Sequence, residues 1–182
     1  MKVTPLAIPD VLLIEPEIFG DDRGFFFESF NQEHFEKAVG KKINFVQDNH
    51  SKSVKSVLRG LHYQLPPKAQ GKLVRVIQGE VFDVVVDIRK SSPTFGKWVS
   101  EIISSDNKKQ VWIAEGFAHG FLVISDTTEF LYKTTAFWAP TFERSIIWND
   151  PQIGIDWETL EQPTLSGKDQ QGATLTNAEL FE

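Results

Sequence analysis

RGLHYQLPPKAQGKLVRVIQGE, Arg59 to Glu80, sets Arg59, His62 and Lys72 among residues that favour strands. An unpaired charge is costly to bury in a β-core, so these groups lie on the surface or line a cavity. In a flat strand Arg59 and Leu61 share one face while Gly60 and His62 share the other. A glycine inside a strand marks a bulge, and a bulge at Gly60 re-aims one side chain so that Arg59 and His62 both face a cavity. The residues alone leave a second reading open, with His62 a hydrogen-bonded core histidine and Arg59 a surface residue.

Outward from this stretch, apolar residues alternate or run in short blocks between turn signals, the pattern of an all-β sandwich or barrel. The expected strands are FFFESF (25–30), KINFVQDNHS (42–51), SVLRGLHYQ (56–64), KLVRVIQ (72–78), EVFDVVVDI (80–88), KWVSEII (97–103), KQVWIA (109–114), GFLVIS (120–125), TEFLYKTTAFW (128–138) and RSIIWND (144–150). Gly79, between two β-prone runs, reads as a tight hairpin, and 93–96 and 104–107 as further turns. Asn31 to Val39 is the one good helix candidate, with Asn31 as N-cap and Gly40 as stop. Residues 154–182 are polar and end acidic. No repeat or linker interrupts the chain, so residues 1–182 read as one β-domain with N-terminal and C-terminal extensions.

Composition narrows the function. With 182 residues, 41% hydrophobic, 24% charged and a net charge of −6, the chain reads as a soluble globular domain with a real core. The acidic balance argues against a nucleic-acid partner. Cysteine is absent, which removes disulfides, thiol catalysis and thiolate metal sites and leaves the redox compartment open. The N-terminal stretch is broken by Pro5, Pro9 and Pro16 and has no long apolar run; neither a signal peptide nor a membrane helix is expected, and a cytoplasmic location follows as the default.

His62-Tyr63-Gln64, Lys72 and Gly79 resemble the first cupin motif, a His-x-His pair followed by a Glu placed six residues ahead of a Gly. Ala114-Glu115-Gly116-Phe117-Ala118-His119 resembles the second, Pro-x-Gly-x-x-His, with Ala114 in place of the proline, a change that loosens a turn. Cupins are double-stranded β-helices, small jelly rolls that enclose a site. The ligand positions here hold His62, Gln64, Lys72 and His119. An ammonium repels a cation, so the resemblance implies the fold while Lys72 disfavours the metal. Neutral histidine then suits a general base near pH 7, with an unperturbed pKa of about 6.5, and Lys72 suits an oxygen that gains negative charge. Together they describe proton abstraction beside a carbonyl. Tyr132 is either the matching acid from the opposite face or a packing residue.

Eight blocks in order, DDRGFFFESF, QDNHSKS, LRGLHYQ, QGKLVRVIQGEVFDVVVDIR, EGFAHGF, YKTT, FERSIIWNDP and SGKDQ, resemble the dTDP-4-dehydrorhamnose 3,5-epimerases over nearly the whole chain. These enzymes convert dTDP-4-dehydro-6-deoxy-glucose to dTDP-4-dehydro-L-rhamnose. The resemblance implies a metal- and cofactor-independent isomerase in which His62 is the base, Asp169 its orienting carboxylate, Lys72 the enolate stabiliser and Tyr132 the proton donor. It implies Arg23 and Arg59 on the pyrophosphate, an aromatic ring at Trp138 stacked on thymine, and Glu28, Gln47, Asp48, Asn49, His119, Glu143 and Lys168 around the ligand. It also implies a homodimer whose N-terminal segments, with the Phe25-Phe26-Phe27 run, exchange between subunits; the same run reads equally as a core strand. The residues leave two other classes open, a single dTDP-sugar 3-epimerase or ketoisomerase, and a non-catalytic cupin that binds a sugar nucleotide. An acid at Tyr132 favours the double epimerase, and a base paired with Asp169 argues against binding alone.

Overall fold

The short apolar runs fold into thirteen strands and two short helices in the computed structural model, which describes residues 1–159 and 162–182. The strands begin with β1 (Lys2–Pro5), β2 (Val11–Glu15), β3 (Phe19–Asp21) and β4 (Gly24–Phe26), before helix α1 (Gln32–Val39). Then follow β5 (Gln47–Val54), β6 (Leu58–Gln64), β7 (Lys72–Gln78), β8 (Glu80–Asp87) and β9 (Trp98–Ser104). The last are β10 (Gln110–Ile113), β11 (Phe117–Val123), β12 (Thr127–Thr134) and β13 (Glu143–Ser145), with helix α2 (Gly167–Gln170) in the tail.

These strands form two facing antiparallel sheets, ordered β1-β2-β10-β7-β12-β5 and β13-β6-β11-β8-β9, and a separate β3-β4 hairpin. The arrangement is the expected jelly roll, with the short helical extension in the tail. Val74, Val76, Val111, Ile113 and Phe130 of the first sheet meet Val81, Val85, Ile103 and Phe121 of the second in one core. A second apolar layer lies on the outer face of the second sheet, where Trp148, Ile153, Trp157, Leu175 and Phe181 cover Leu58, Leu61, Phe82, Val84 and Val86. Strand β8 is therefore buried on both faces, which suits its run of β-branched residues. Parallel bridges Val57↔Thr164, Ile146↔Ala173 and Arg89↔Phe181 hold the polar tail against that sheet. Helix α1 seals the outer face of the first sheet through Phe35, which packs edge-on against Trp112. Asn31 caps it by accepting from the His34 amide, and Gly40 ends it at φ 77°, as expected.

The bulge at Gly60 is present. Arg59 pairs with Phe121 and His62 with His119 across β6 and β11, so Gly60 and Leu61 together stand opposite Gly120. Gly60 has φ +132°, and a Cβ there would lie 2.5 Å from the Gly120 Cα. Only glycine admits this approach.

Five expectations need correction, one of them the strand expected over 128–138, which stops at Thr134 where its pairing with β5 and β7 ends. Gly79 is not a hairpin: β7 and β8 belong to different sheets, and Gly79 carries the chain across the corner between them. Its φ of +78° and the Thr127 carbonyl, which would lie 2.1 Å from an added Cβ, require the glycine. Residues 25–30 are not one strand, since β4 ends at Phe26 where its three-residue partner β3 runs out. The strand expected from 42 begins at Gln47, where pairing with Thr134 starts, and the strand expected at 144–150 stops at Ser145, the last pairing with β6. The proline-broken N-terminus, in contrast, does enter the first sheet: β1 is its edge, and Pro5 sits at the end of that strand, where a missing N–H is tolerated. Among the described residues no helix is long and apolar enough to cross a membrane.

Candidate active site

A cavity of about 330 Å³ opens between the two sheets, lined by Asn49, Arg59, His62, Lys72, His119, Phe121, Phe130, Tyr132, Glu143 and Lys168 among others. The walls come from different layers: His62 and His119 stand on β6 and β11 of the second sheet, Lys72 and Tyr132 on β7 and β12 of the first. Without the bulge, His62 and Arg59 would diverge; with it both reach this space.

His62 Nε2 lies 2.6 Å from Asp169 Oδ1. Asp169, only 3% exposed, also accepts from the Gly60 amide at 3.2 Å and from the Ser166 hydroxyl at 2.6 Å. Burial alone would raise this carboxyl, but the hydrogen bonds from His62 and Ser166 outweigh it and hold the group down at about 2. An ionised carboxylate only accepts, so Nε2 carries the proton and Nδ1 is left as the basic nitrogen. Burial holds the His62 imidazole below its usual 6.5, against the pull of Asp169, and the charges of Lys168 and Lys72 push the same way. His62 is thus a neutral base at pH 7. Ser166 caps α2 and accepts from the Asp169 amide at 3.2 Å. The Ser-x-x-Asp spacing of a capping box is the signal that places this carboxylate at a helix start.

Lys72 is buried, donates to the His62 carbonyl at 3.3 Å, and is pulled down to about 8 by burial, with Glu143 and Asp83 opposing. It remains mostly charged at pH 7. Tyr132 packs beside Phe130, and burial raises its phenol, with Glu143 adding to the effect; it stays protonated at any neutral pH. Glu143 is bound by Lys168 at 2.5 Å. Burial pushes its carboxyl up, but Lys168 and a hydrogen bond from the Trp138 side chain bring it below the usual value. Arg59 is steadied by a bond from Nε to Ser53 Oγ at 3.0 Å.

His119 was expected to meet the sugar or to be satisfied by the backbone. It lies in the cavity wall with Nε2 2.8 Å from Asp83 Oδ2, so a second imidazole–carboxylate pair stands beside the first. Asp83 is absent from the sequence reading. Its signal is a carboxylate flanked on both sides by apolar residues in the run EVFDVVVDI, which had to find a partner if buried.

Not every residue inferred from the resemblance reaches the cavity in this chain. Arg23 sits at the tip of the β3-β4 hairpin, fully out in solvent and paired with Asp21. Glu28 lies near His34 and Asn31, at the base of a different, apolar hollow. Asp48 points to the outer face of its sheet and binds Lys133 at 3.0 Å, because Asn49, its neighbour, takes the inward position. Gln47 and Trp138 form the rim, the Trp138 amide donating to Gln47 Oε1 at 3.0 Å.

The cupin ligand positions do not make a metal site. Gln64 spends both ends of its amide on the backbone, at Lys68, Phe137 and Ala139, Lys72 is an ammonium, and the Nε2 atoms of His62 and His119 are bound to carboxylates. Two free imidazole nitrogens beside a buried cation are a poor donor set.

A jelly roll holding a carboxylate-backed imidazole and a buried ammonium, with a phenol on the facing wall, is a cupin-fold isomerase. The family model described as dTDP-4-dehydrorhamnose 3,5-epimerase matches residues 5–177, and the chain belongs to that family. It is 62% identical over 181 residues to the dTDP-4-dehydrorhamnose 3,5-epimerase of Pseudomonas aeruginosa, covering 100% of this chain and 99% of the relative. The dTDP-6-deoxy-D-glucose-3,5-epimerase of Legionella pneumophila, solved with dTDP-4-keto-L-rhamnose, superposes with a TM-score of 0.94 at 51% identity, over 98% of this chain and 94% of that one. A 3'-monoepimerase from Streptomyces bikiniensis, solved with dTDP-quinovose, is also similar, with a TM-score of 0.90 at 35% identity over 94% of this chain and 87% of that one.

Proposed function

We propose that the chain inverts carbons 3 and 5 of dTDP-4-dehydro-6-deoxy-D-glucose to give dTDP-4-dehydro-L-rhamnose, a step of dTDP-L-rhamnose biosynthesis. The observation that carries the reading is the placement of a backed base and a phenol on facing walls of one cavity. Carbons 3 and 5 both flank the carbon 4 ketone, so each bears an acidified proton. His62 Nδ1 takes the proton from one ring face, Asp169 accepting from Nε2 and stabilising the imidazolium. The electron pair moves onto the carbon 4 oxygen, and the Lys72 ammonium, itself buried, stabilises that oxyanion. Tyr132 delivers its proton to the opposite face, the ketone re-forms, and exchange with solvent resets the phenol and the imidazole. Repetition at the second carbon completes the double inversion.

Arg59 and Lys168 supply positive charge for the pyrophosphate, and Trp138, 59% exposed at the rim, offers its face to thymine. His119 and Asn49 complete the polar wall around the sugar. The reading needs no cofactor and no metal. It takes residues 1–182 as one cupin-like domain. A charged sugar nucleotide does not cross a bilayer unaided, so the enzyme is assigned to the cytoplasm, where that substrate is made.

The proposal includes a homodimer with exchanged N-terminal segments. Phe25 and Phe26 are 61% and 69% exposed, on a hairpin detached from both sheets, and such apolar surface calls for a cover. An arm docked on a second copy would bring its Arg23 and Glu28 to the neighbouring cavity. Sedimentation at micromolar concentration is expected to give a dimer; a monomer would sink this part.

The test of the reaction is NMR of the substrate in heavy water, followed across pH. Deuterium is expected at both carbon 3 and carbon 5. Exchange at carbon 3 alone would indicate a single epimerase. The base works only above its pKa, which lies below 6.5, and the ammonium only below about 8. Activity therefore rises with pH through a value under 6.5 and falls through about 8. A rate that kept climbing past pH 9 would contradict the role of Lys72.

A further inference from the structure

We infer that Gln64 is a positioning residue that fixes the height of Trp138 over the cavity, so that strand β6 sets both the proton-abstracting and the base-binding ends of the site. The inference rests on the reading of Trp138 as the ring that meets the nucleotide base.

After β12 ends at Thr134, the segment 136–139 leaves the sheet; the Ala139 carbonyl accepts from the Phe142 and Glu143 amides, while the peptide groups on either side of Trp138 are satisfied by side chains. The Gln70 amide donates to the Ala136 carbonyl at 2.8 Å. Gln64 Nε2 donates to the Phe137 carbonyl at 3.2 Å, and Gln64 Oε1 accepts from the Ala139 amide at 2.8 Å. The same Nε2 donates to the Lys68 carbonyl at 2.6 Å. Gln64 therefore grips the backbone on both sides of Trp138 from a side chain that is only 3% exposed, while Gln47 holds the Trp138 amide from the rim.

Gln64 stands two residues after His62 on the same strand, at a place where a cupin would present a metal ligand. Here the amide is turned to a different use. Its two donors and its acceptor match two carbonyls and one N–H, a set that no carboxylate or imidazole reproduces. The indole itself is exposed and meets Glu143 through its side-chain hydrogen bond, so the backbone grip of Gln64 and that single bond set its orientation in place of packing. Loss of the grip leaves buried backbone groups unpaired and lets the ring wander, which raises the cost of ordering it on binding.

Gln64→Leu keeps the volume and removes all three bonds; Gln64→Met serves the same purpose if the leucine variant does not fold. Titration calorimetry is run with dTDP and with inorganic pyrophosphate on the wild type, Gln64→Leu, Trp138→Ala and the double variant. Gln64→Leu is expected to weaken dTDP about tenfold through lost preorganisation and pyrophosphate less than twofold, and to add nothing in the Trp138→Ala background. In turnover, KM should rise by more than kcat falls. Equal weakening of dTDP and pyrophosphate, full additivity with Trp138→Ala, or a lowered Tm with unchanged dTDP affinity would each overturn the inference. Wild-type dTDP affinity in Trp138→Ala alone would instead overturn the base-stacking reading beneath it.

Discussion

His62→Ala is expected to reduce epimerisation by about a thousandfold or more while dTDP affinity stays within about twofold, as removal of a general base does when binding groups remain. The size of the effect follows from the site. Of the other imidazoles lining the cavity, His50 is bound to Glu129 and His119 to Asp83, and Lys72, pulled down to about 8 by burial, is still mostly charged at pH 7. His119 has a carboxylate of its own in Asp83, but it stands on β11 rather than β6 and is buried at 7% exposure, so it does not occupy the position from which His62 Nδ1 takes the proton. The variant should therefore lose deuterium exchange at carbons 3 and 5 together, since one base serves both. Exchange that survived at either carbon would show that the base is another group. The small effect on binding is equally informative, because the residues proposed to hold the pyrophosphate and the base, Arg59, Lys168 and Trp138, do not bond to His62.

Tyr132→Phe separates abstraction from delivery. It removes one oxygen from a packed wall beside Phe130 and leaves His62, Asp169 and Lys72 in place. Inversion should fall by about a hundred- to ten-thousandfold, the range for loss of a general acid. Exchange of substrate protons with heavy water should continue, because His62 can still remove a proton and return a deuteron from the same face. NMR would then record labelled substrate of unchanged configuration. A variant that still inverted carbon 5 at a near-normal rate would exclude the phenol as the donor. One that lost exchange as well would mean that Tyr132 helps form the enolate.

The fold was legible because β-structure writes itself into short apolar runs and because Gly60 sits where alternation fails. The bulge could be inferred from two side chains that had to share a cavity on neighbouring faces. Gly79 misled for a physical reason: a positive-φ glycine between two strands serves a hairpin and a sheet-to-sheet corner alike, and only long-range pairing decides between them. The strands β1 and β2 were hidden by prolines that a sheet edge tolerates. Within the site, His62 and Asp169 met as expected across 107 residues. Asp83 was invisible because a carboxylate in an apolar strand declares burial but not its partner. Arg23, Glu28 and Asp48 show the opposite limit: motifs pick out residues, while the sheet face and the hollow on which they lie are properties of the folded chain.

Asp169 rides on a four-residue helix in the tail, held to β6 by the Gly60 amide and by His62 itself. A ribosome must extend the polypeptide 107 residues past His62 before this carboxylate exists. Until then the imidazole has no partner to fix its tautomer. A chain cut within the tail ahead of α2 accordingly lacks the carboxylate behind His62 and the Lys168 cation together. On the proposed roles of His62 and Asp169, catalytic competence is expected only once α2 has been made and docked on β6.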